Sequence, residues 1–133
     1  EIQPGQVENG YWLRDRQTGE SLYYEPHLAP PESLLRQQIE RVDVLIAPVI
    51  GQIFPLLGQV IMGPEQTLQL AKILHPRFIV PTTMGDIRTS GILPRLIQAI
   101  GSIPEFRERL VDSGLKTELF TPKPGETLVL ELA

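Results

Sequence analysis

The sequence of 133 residues contains no cysteine, which excludes disulfide bonds, thiolate nucleophiles and cysteine-based zinc sites. It also lacks an apolar run of the roughly 20 residues that a membrane-spanning helix needs. Segment 1–9 is polar and has no signal-peptide core. These absences predict a soluble intracellular protein, located in the cytoplasm.

Positive charge is also scarce, since the formal net charge is -4 and the pI is about 5.2. The 12 Lys and Arg residues are scattered, so no basic surface is predicted for nucleic acid or an anionic membrane. The glycines form no phosphate-binding pattern, which argues against a nucleotide cofactor. With 41% hydrophobic and 21% charged residues, the chain is expected to form one globular domain over residues 1–133.

The first half of the chain alternates strand and helix signals. Strands are predicted at 10–14 and 21–25, joined by a polar turn, so the two form a hairpin. A helix is expected at 31–41 because Pro31 suits the first turn. The apolar run 42–49 reads as a buried parallel strand, and the Gly- and Pro-rich stretch 50–62 as a packed loop or short helical turn.

The second half continues the pattern with a helix at 63–74 and a buried strand at 78–80, which completes a βαβ unit. Further helices are predicted at 92–100 and, from a Ser-x-x-Glu capping pattern, at 102–111. Closing strands are expected at 116–120 and 127–132. The predicted fold class is therefore α/β, with a mixed sheet, an N-terminal hairpin, a βαβ unit and flanking helices.

Strong catalytic groups are few, because His27 and His75 are the only histidines. A zinc site needs three or four converging ligands. His27 follows the second strand and could be a metal ligand or a general base, although a loop histidine bonded to backbone is the favoured interpretation. His75 ends a helix, where an imidazole complements the helix dipole. Asp43 is a further carboxylate that could serve as a ligand.

A possible pocket of Glu25, Thr82, Thr83 and Asp86 is predicted around the loop after strand 78–80, because ligands bind beyond the carboxyl ends of strands in open α/β sheets. Thr82, Thr83 and Asp86 lie in this loop, although a turn-closing role for Asp86 is favoured. Glu25 alternates with Tyr24, and a solvent-facing strand carboxylate is its favoured interpretation. No base stands beside the hydroxyls of this region, so no catalytic residue is assigned.

Three segments together resemble the metallo-β-lactamase-fold family. Asn9-Gly-Tyr-Trp-Leu, followed by Ser21-Leu-Tyr-Tyr-Glu-Pro-His, is similar to the hairpin midway through the family fold. Val42-Asp-Val-Leu-Ile-Ala-Pro-Val is similar to the next core strand, and Met62-Gly-Pro-Glu through Phe78-Ile-Val-Pro to the last helix and strand before a ligand histidine. The match spans residues 8–86, and its particular residues look most like a branch found in cyanobacteria and plant plastids. The resemblance therefore implies the plastid stroma as the location if the source is a plant.

The resemblance implies half of an αβ/βα sandwich from a family of metal-dependent hydrolases that hold one or two metal ions, usually zinc. The family's H-x-H-x-D-H motif matches nothing in this chain, which implies that the N-terminal half lies upstream of Glu1. Pro26-His27 stands where the family has Gly-Asp, so His27 is the candidate metal ligand. Thr83 stands where the family has its last ligand histidine, which makes the standard two-metal site doubtful.

The expected function is therefore that of a hydrolase-like fragment, inactive as an isolated chain, with no cofactor of its own. Zinc or another divalent metal is a cofactor only of the full-length protein. The alternatives are a non-catalytic binding or structural domain of the same fold, and an unrelated α/β domain. A sheet that lacks its partner layer would expose an apolar face, which predicts a homodimer through that face. No small-molecule ligand is identified.

Overall fold

A computed structural model describes residues 10–83 and 90–132. Its main feature is a five-stranded mixed sheet in the order β1-β2-β3-β6-β8. The strands are β1 (Tyr11–Arg14), β2 (Ser21–Tyr24), β3 (Val44–Ala47), β6 (Phe78–Pro81) and β8 (Glu118–Leu119). β1 and β2 form the predicted antiparallel hairpin, and β2, β3, β6 and β8 run parallel, as the βαβ pattern indicated.

Three helices accompany this sheet: α1 (Glu32–Gln38), α2 (Pro64–Leu74) and α4 (Ile103–Asp112). The predicted cap of α4 is confirmed, because the Ser102 hydroxyl accepts a hydrogen bond from the Glu105 backbone N–H at 3.2 Å. At the start of α2, the Gln66 side-chain oxygen accepts the N–H of Gly63 at 2.9 Å. Both caps satisfy donors that a helix start otherwise leaves without an intrahelical partner.

One row of side chains crosses the sheet and belongs to the hydrophobic core. Strand register aligns Trp12, Tyr23, Leu45, Ile79 and Leu119, which all lie on one face of the sheet. Tyr23, Leu45 and Ile79 are buried in the core, and the two edge residues pack against it. The helices contribute further core residues: Leu35, Leu68, Leu70, Ala71, Phe106 and Leu110.

A buried carboxylate ties the starts of two strands together. Asp43, just before β3, is fully buried and accepts the backbone N–H of Ser21 at 2.9 Å. The Arg41 guanidinium donates to the other carboxylate oxygen at 2.6 and 3.0 Å. The Asp43 carboxylate therefore has its ion-pair and hydrogen-bond partners within the fold. It lies at the amino ends of β2 and β3, away from their carboxyl ends, so its position does not support the prediction of a metal ligand.

Segment 50–62 corrects the sequence prediction, because it forms a β-hairpin rather than a loop or helical turn. β4 (Gly51–Phe54) pairs antiparallel with β5 (Gly58–Ile61). Pro55 lies in the turn between the two strands, and Gly58 is the first residue of β5. A side chain at Gly51 would lie 2.9 Å from the Gly63 backbone, so this glycine marks a close approach of two chain segments and not a loop.

Segment 92–100 is also corrected, since the predicted helix is limited to α3 (Leu93–Leu96). The chain then becomes extended at Ile97, and β7 (Gln98–Ile100) pairs with β4 to complete a second, three-stranded sheet in the order β5-β4-β7. Pro94 lies in the first turn of the short helix. Pairing with β4 outweighs the helical pattern of the remaining residues.

The closing segment differs from the prediction as well. β8 falls within the predicted strand 116–120, but residues 127–132 form no strand in the part of the chain that the structure describes. Instead, the Arg77 guanidinium donates to the backbone carbonyls of Glu131 and Leu132, which holds the end of the chain beside β6. Among the described residues, no helix is long and apolar enough to cross a membrane.

Candidate functional site

The parallel direction of β2, β3 and β6 brings their carboxyl ends to one edge of the main sheet. Backbone hydrogen bonds extend across this edge, from the Glu25 N–H to the Ile46 carbonyl at 2.9 Å and from the Thr82 N–H to the Ala47 carbonyl at 3.2 Å. The residues after β2 and after β6 are thereby fixed at the same edge, on either side of β3. The described residues of the predicted pocket, Glu25, Thr82 and Thr83, therefore lie at one edge of the main sheet.

Glu25 corrects the sequence interpretation, because it is buried, at 2% exposure, and not solvent-facing. The alternation with Tyr24 is confirmed, but the inward face is the one that carries Glu25, together with Tyr23 two residues earlier. The Tyr23 hydroxyl donates to the Glu25 carboxylate at 2.7 Å. Burial and the neighbouring carboxylate raise the pKa of Tyr23, so its phenol stays protonated and donates this hydrogen bond.

Gly10 closes over this buried pair. A Cβ atom at Gly10 would lie 2.5 Å from both the Glu25 carboxylate and the Tyr23 hydroxyl, so any side chain there would displace one of them. The sequence prediction missed Tyr23 as a partner of Glu25. The signal that could have found it is the spacing of two residues, which puts both side chains on one face of a strand.

His27 lies two residues beyond the end of β2 and is partly buried, with the Nδ1 atom of its ring shielded from solvent. Its backbone carbonyl accepts the Met62 N–H at 2.9 Å, which attaches the loop after β2 to the end of the β4–β5 hairpin. Next to it, Leu28 and Met62 line an apolar cavity of about 360 Å³ between this loop and α2. The sequence pattern gave no indication of this cavity.

Thr82 and Thr83 follow β6 directly and lie at the same edge, with Thr82 exposed and Thr83 partly buried. Asp86, the remaining predicted pocket residue, lies outside the described residues. The structure thus brings Glu25, His27, Thr82 and Thr83 to one edge of the sheet. The Glu25 carboxylate is buried and bonded to Tyr23. The other side chains of this set that could coordinate a metal ion are one imidazole and two hydroxyls.

His75 is separated from this edge by the length of β6. It ends α2 in a left-handed conformation, with φ at 47°, and its N–H donates to the Ala71 carbonyl at 2.8 Å. The predicted position at a helix C-terminus is confirmed. Four residues of strand rise roughly 13 Å, so His75 and His27 lie at opposite edges of the sheet and do not converge on one metal ion.

A zinc ion takes three or four His, Cys or carboxylate ligands in a tetrahedral arrangement. Within residues 10–83 and 90–132, no group of three or more His, Cys, Asp or Glu side chains could hold a metal ion. Of the residues at the edge, His27 is a good zinc ligand, whereas neutral threonine hydroxyls are poor ones. These residues alone do not fit a zinc site.

Comparisons with known proteins agree with this architecture. The family model described as "Beta-lactamase superfamily domain" matches residues 1–83. Among solved structures, the chain is similar to an isothiocyanate hydrolase from Delia radicum gut bacteria, with a TM-score of 0.57 and 21% sequence identity. That match covers 83% of this chain but only 40% of the hydrolase chain, and it shows a shared fold. The search of curated proteins found no match.

Proposed function

The chain belongs to the β-lactamase superfamily, and we propose that it is the C-terminal portion of a metal-dependent hydrolase-like domain that is inactive as an isolated chain. The observation that carries the proposal is the edge formed by the ends of β2 and β6. His27 lies at this edge opposite Thr83, which occupies the place of a ligand histidine in the family resemblance. One imidazole and two hydroxyls are too few zinc ligands for tight binding.

In the complete protein, we propose that His27 is this chain's ligand to zinc or another divalent ion, and that the other ligands come from sequence outside the chain. Such an ion would supply Lewis acidity and an activated water. Thr82 and Thr83 would line the substrate pocket as hydrogen-bonding groups. The similar solved protein is named as a hydrolase of isothiocyanates, and a hydrolytic reaction is the corresponding proposal for the whole protein here.

The alternative function is a non-catalytic binding domain of the same fold. The state of Glu25 favours it, because the carboxylate at this edge is buried and bonded to Tyr23. The other side chains at this edge, those of Thr82, Thr83 and His27, suit a small polar ligand better than a cation. A complete protein that carries the H-x-H-x-D-H motif upstream would favour the hydrolase, and one that lacks it would favour the binding domain.

Titration calorimetry with zinc chloride tests the role of His27 directly. We expect weak zinc binding by the isolated chain, no tighter than micromolar, and we expect His27→Ala to abolish it. The matched control is His75→Ala, an exposed histidine at the opposite edge of the sheet, which should leave the weak binding unchanged. Nanomolar binding by the wild-type chain, or loss of binding only in His75→Ala, would contradict the proposal.

An activity measurement tests the second part of the proposal. The isolated chain, with and without added zinc, should not accelerate hydrolysis of a chromogenic ester or a chromogenic β-lactam above the rate with buffer and zinc alone. Zinc-dependent turnover that disappears in His27→Ala would show that the chain is an enzyme by itself. Turnover that survives in His27→Ala would instead indicate a contaminating hydrolase, and the experiment would be repeated on material purified further.

A further inference from the structure

Segment 28–39, which contains α1, makes no hydrogen bond to the rest of the chain that the structure describes. We name this segment the α1 flap. Its hydrogen bonds are internal, such as the one from the Ile39 N–H to the Leu35 carbonyl at 2.9 Å. Its ion pair between Arg36 and Glu32 is internal as well. Polar contacts of the described residues therefore hold the flap together but do not attach it to the sheet.

The chain is firmly attached on either side of the flap. Before it, the His27 carbonyl accepts the Met62 N–H at 2.9 Å. After it, the Arg41 carbonyl accepts the Trp12 indole N–H at 3.0 Å, and the Arg41 guanidinium pairs with the buried Asp43 carboxylate at 2.6 Å. The flap is thus a connection between two fixed points and can move without releasing either of them.

One apolar side chain attaches the flap to the core. Leu35 is 2% exposed and is the one buried residue of α1, whose residues are all described, whereas α2 buries five. The neighbouring Leu34 is 40% exposed. Ala29 and Ile39 are only partly buried against the core. The closed position of the flap therefore depends mainly on the burial of a single leucine.

Cavities border this leucine. Leu35 lines three of them, with volumes of about 450, 360 and 330 Å³. The first cavity also reaches Val42, the second reaches Leu70 of α2, and the third reaches Trp12 and Tyr23. A side chain beside a void has fewer contact partners, so Leu35 holds the flap less tightly than a leucine in a filled core would.

The helix of the flap contributes little stability of its own. It has seven residues, and helices shorter than about 12 residues are marginal in water without tertiary packing. No side-chain hydrogen bond from the described residues caps its start at Pro31, whereas Ser102 caps α4. Its ion pair is exposed at both partners, and such pairs add little. Once Leu35 leaves the core, we expect the helix to unravel.

We propose that the α1 flap opens as a unit about the fixed points at His27 and Arg41 while the sheet and α2 stay folded. Segments with few buried contacts are the ones that open locally in folded proteins. Opening uncovers the Tyr23 side chain, which lines the cavity under the flap and donates its hydroxyl proton to the Glu25 carboxylate. The flap is thus a gate to the Tyr23–Glu25 pair. The inference is independent of the proposed hydrolase-like function.

The absence of cysteine allows a direct test, because Leu35→Cys introduces the only thiol of the chain. The matched control is Leu110→Cys in α4, since Leu110 is buried to a similar degree, at 4% exposure. An opening that removes one leucine from the core is disfavoured about 10- to 150-fold, and complete unfolding of a domain about 5,000-fold or more. Under native conditions, iodoacetamide should therefore modify Leu35→Cys at least about 30-fold faster than Leu110→Cys.

Hydrogen exchange measured by mass spectrometry tests the proposal on the wild-type flap. Relative to their intrinsic rates, the amides of residues 35–39 should exchange at least about 30-fold faster than those of residues 68–74 in α2. Leu110→Ala, which weakens the packing of α4 on α2, should accelerate exchange in α2 at least about 10-fold and leave the flap amides unchanged. Circular dichroism confirms that each variant is folded.

Two results would overturn the proposal. Equal reactivity of the thiols in Leu35→Cys and Leu110→Cys would show that both become accessible in the same event. Equal acceleration of the flap and α2 amides in Leu110→Ala would show that the flap is released only when the whole domain unfolds.

Discussion

The Tyr23–Glu25 pair offers the sharpest test of the structure around the candidate site. Tyr23→Phe removes one hydroxyl and leaves the rest of the core unchanged, but it deprives the buried Glu25 carboxylate of a donor at 2.7 Å. Hydrogen bonds to charged groups contribute about 1.5–3 kcal/mol, and the loss is not recovered from water when the acceptor is buried. We therefore expect the free energy of unfolding to fall by about 2 kcal/mol.

Urea denaturation followed by circular dichroism measures this change. Tyr24→Phe is the matched control, because the same atom is removed one residue along the strand on the exposed face. It should change the free energy of unfolding by less than about 0.5 kcal/mol. Equal effects of the two variants, or no effect of Tyr23→Phe, would show that Glu25 does not depend on the Tyr23 hydroxyl and would refute the arrangement described for this strand.

Two further predictions concern buried polar groups. Burial and the Glu25 carboxylate raise the pKa of the Tyr23 phenol above its usual 10.0, so the unfolded chain loses the phenol proton at a lower pH than the folded chain does. The free energy of unfolding should therefore fall as the pH rises above about 10, by at most about 1.4 kcal/mol per pH unit. Tyr23→Phe should flatten this dependence on pH in urea titrations, and an unchanged slope would contradict the prediction. In the same assay, Asp43→Ala should lower the free energy of unfolding by about 1–3 kcal/mol, because the buried Ser21 N–H loses its acceptor whereas the exposed Arg41 guanidinium regains water. Glu40→Ala, which removes an exposed ion pair with Arg14, should lower it by less than about 1 kcal/mol.

The main sheet was predictable because its strands and helices carry strong local signals. The hairpin of β1 and β2, the apolar strand around Leu45 and the helix α2 follow from apolar periodicity and turn residues, and α4 follows from its capping pattern. The second sheet was missed because its strands are short, two of them begin with glycine, and Pro55 lies between them, and these residues usually mark loops. Its stability comes from pairing between β4 and β7, which are more than 40 residues apart in the sequence, and such pairing leaves no local pattern.

The candidate site was only partly predictable for a similar reason. The position of Thr82 and Thr83 beyond the end of a strand was predictable, because ligand-binding loops follow the strands of open α/β sheets. Their position at the same edge as His27 depends on the order β2-β3-β6, which the sequence did not reveal. The burial of Glu25 was not predicted, since alternation says that Tyr24 and Glu25 face opposite sides but does not say which side is inward. That decision depends on α1 and the core residue Leu35, which pack against the face that carries Tyr23.

The central claim is that this chain does not hold a zinc ion tightly by itself, although we propose that it contributes His27 to the metal site of the complete protein. Elemental analysis of the purified full chain, after incubation with zinc chloride and exhaustive dialysis against metal-free buffer, tests it most directly. We predict a zinc content well below one equivalent per chain, unchanged in His27→Ala. One zinc ion retained per wild-type chain and lost in His27→Ala would contradict the account, because it would show a complete metal site within these residues.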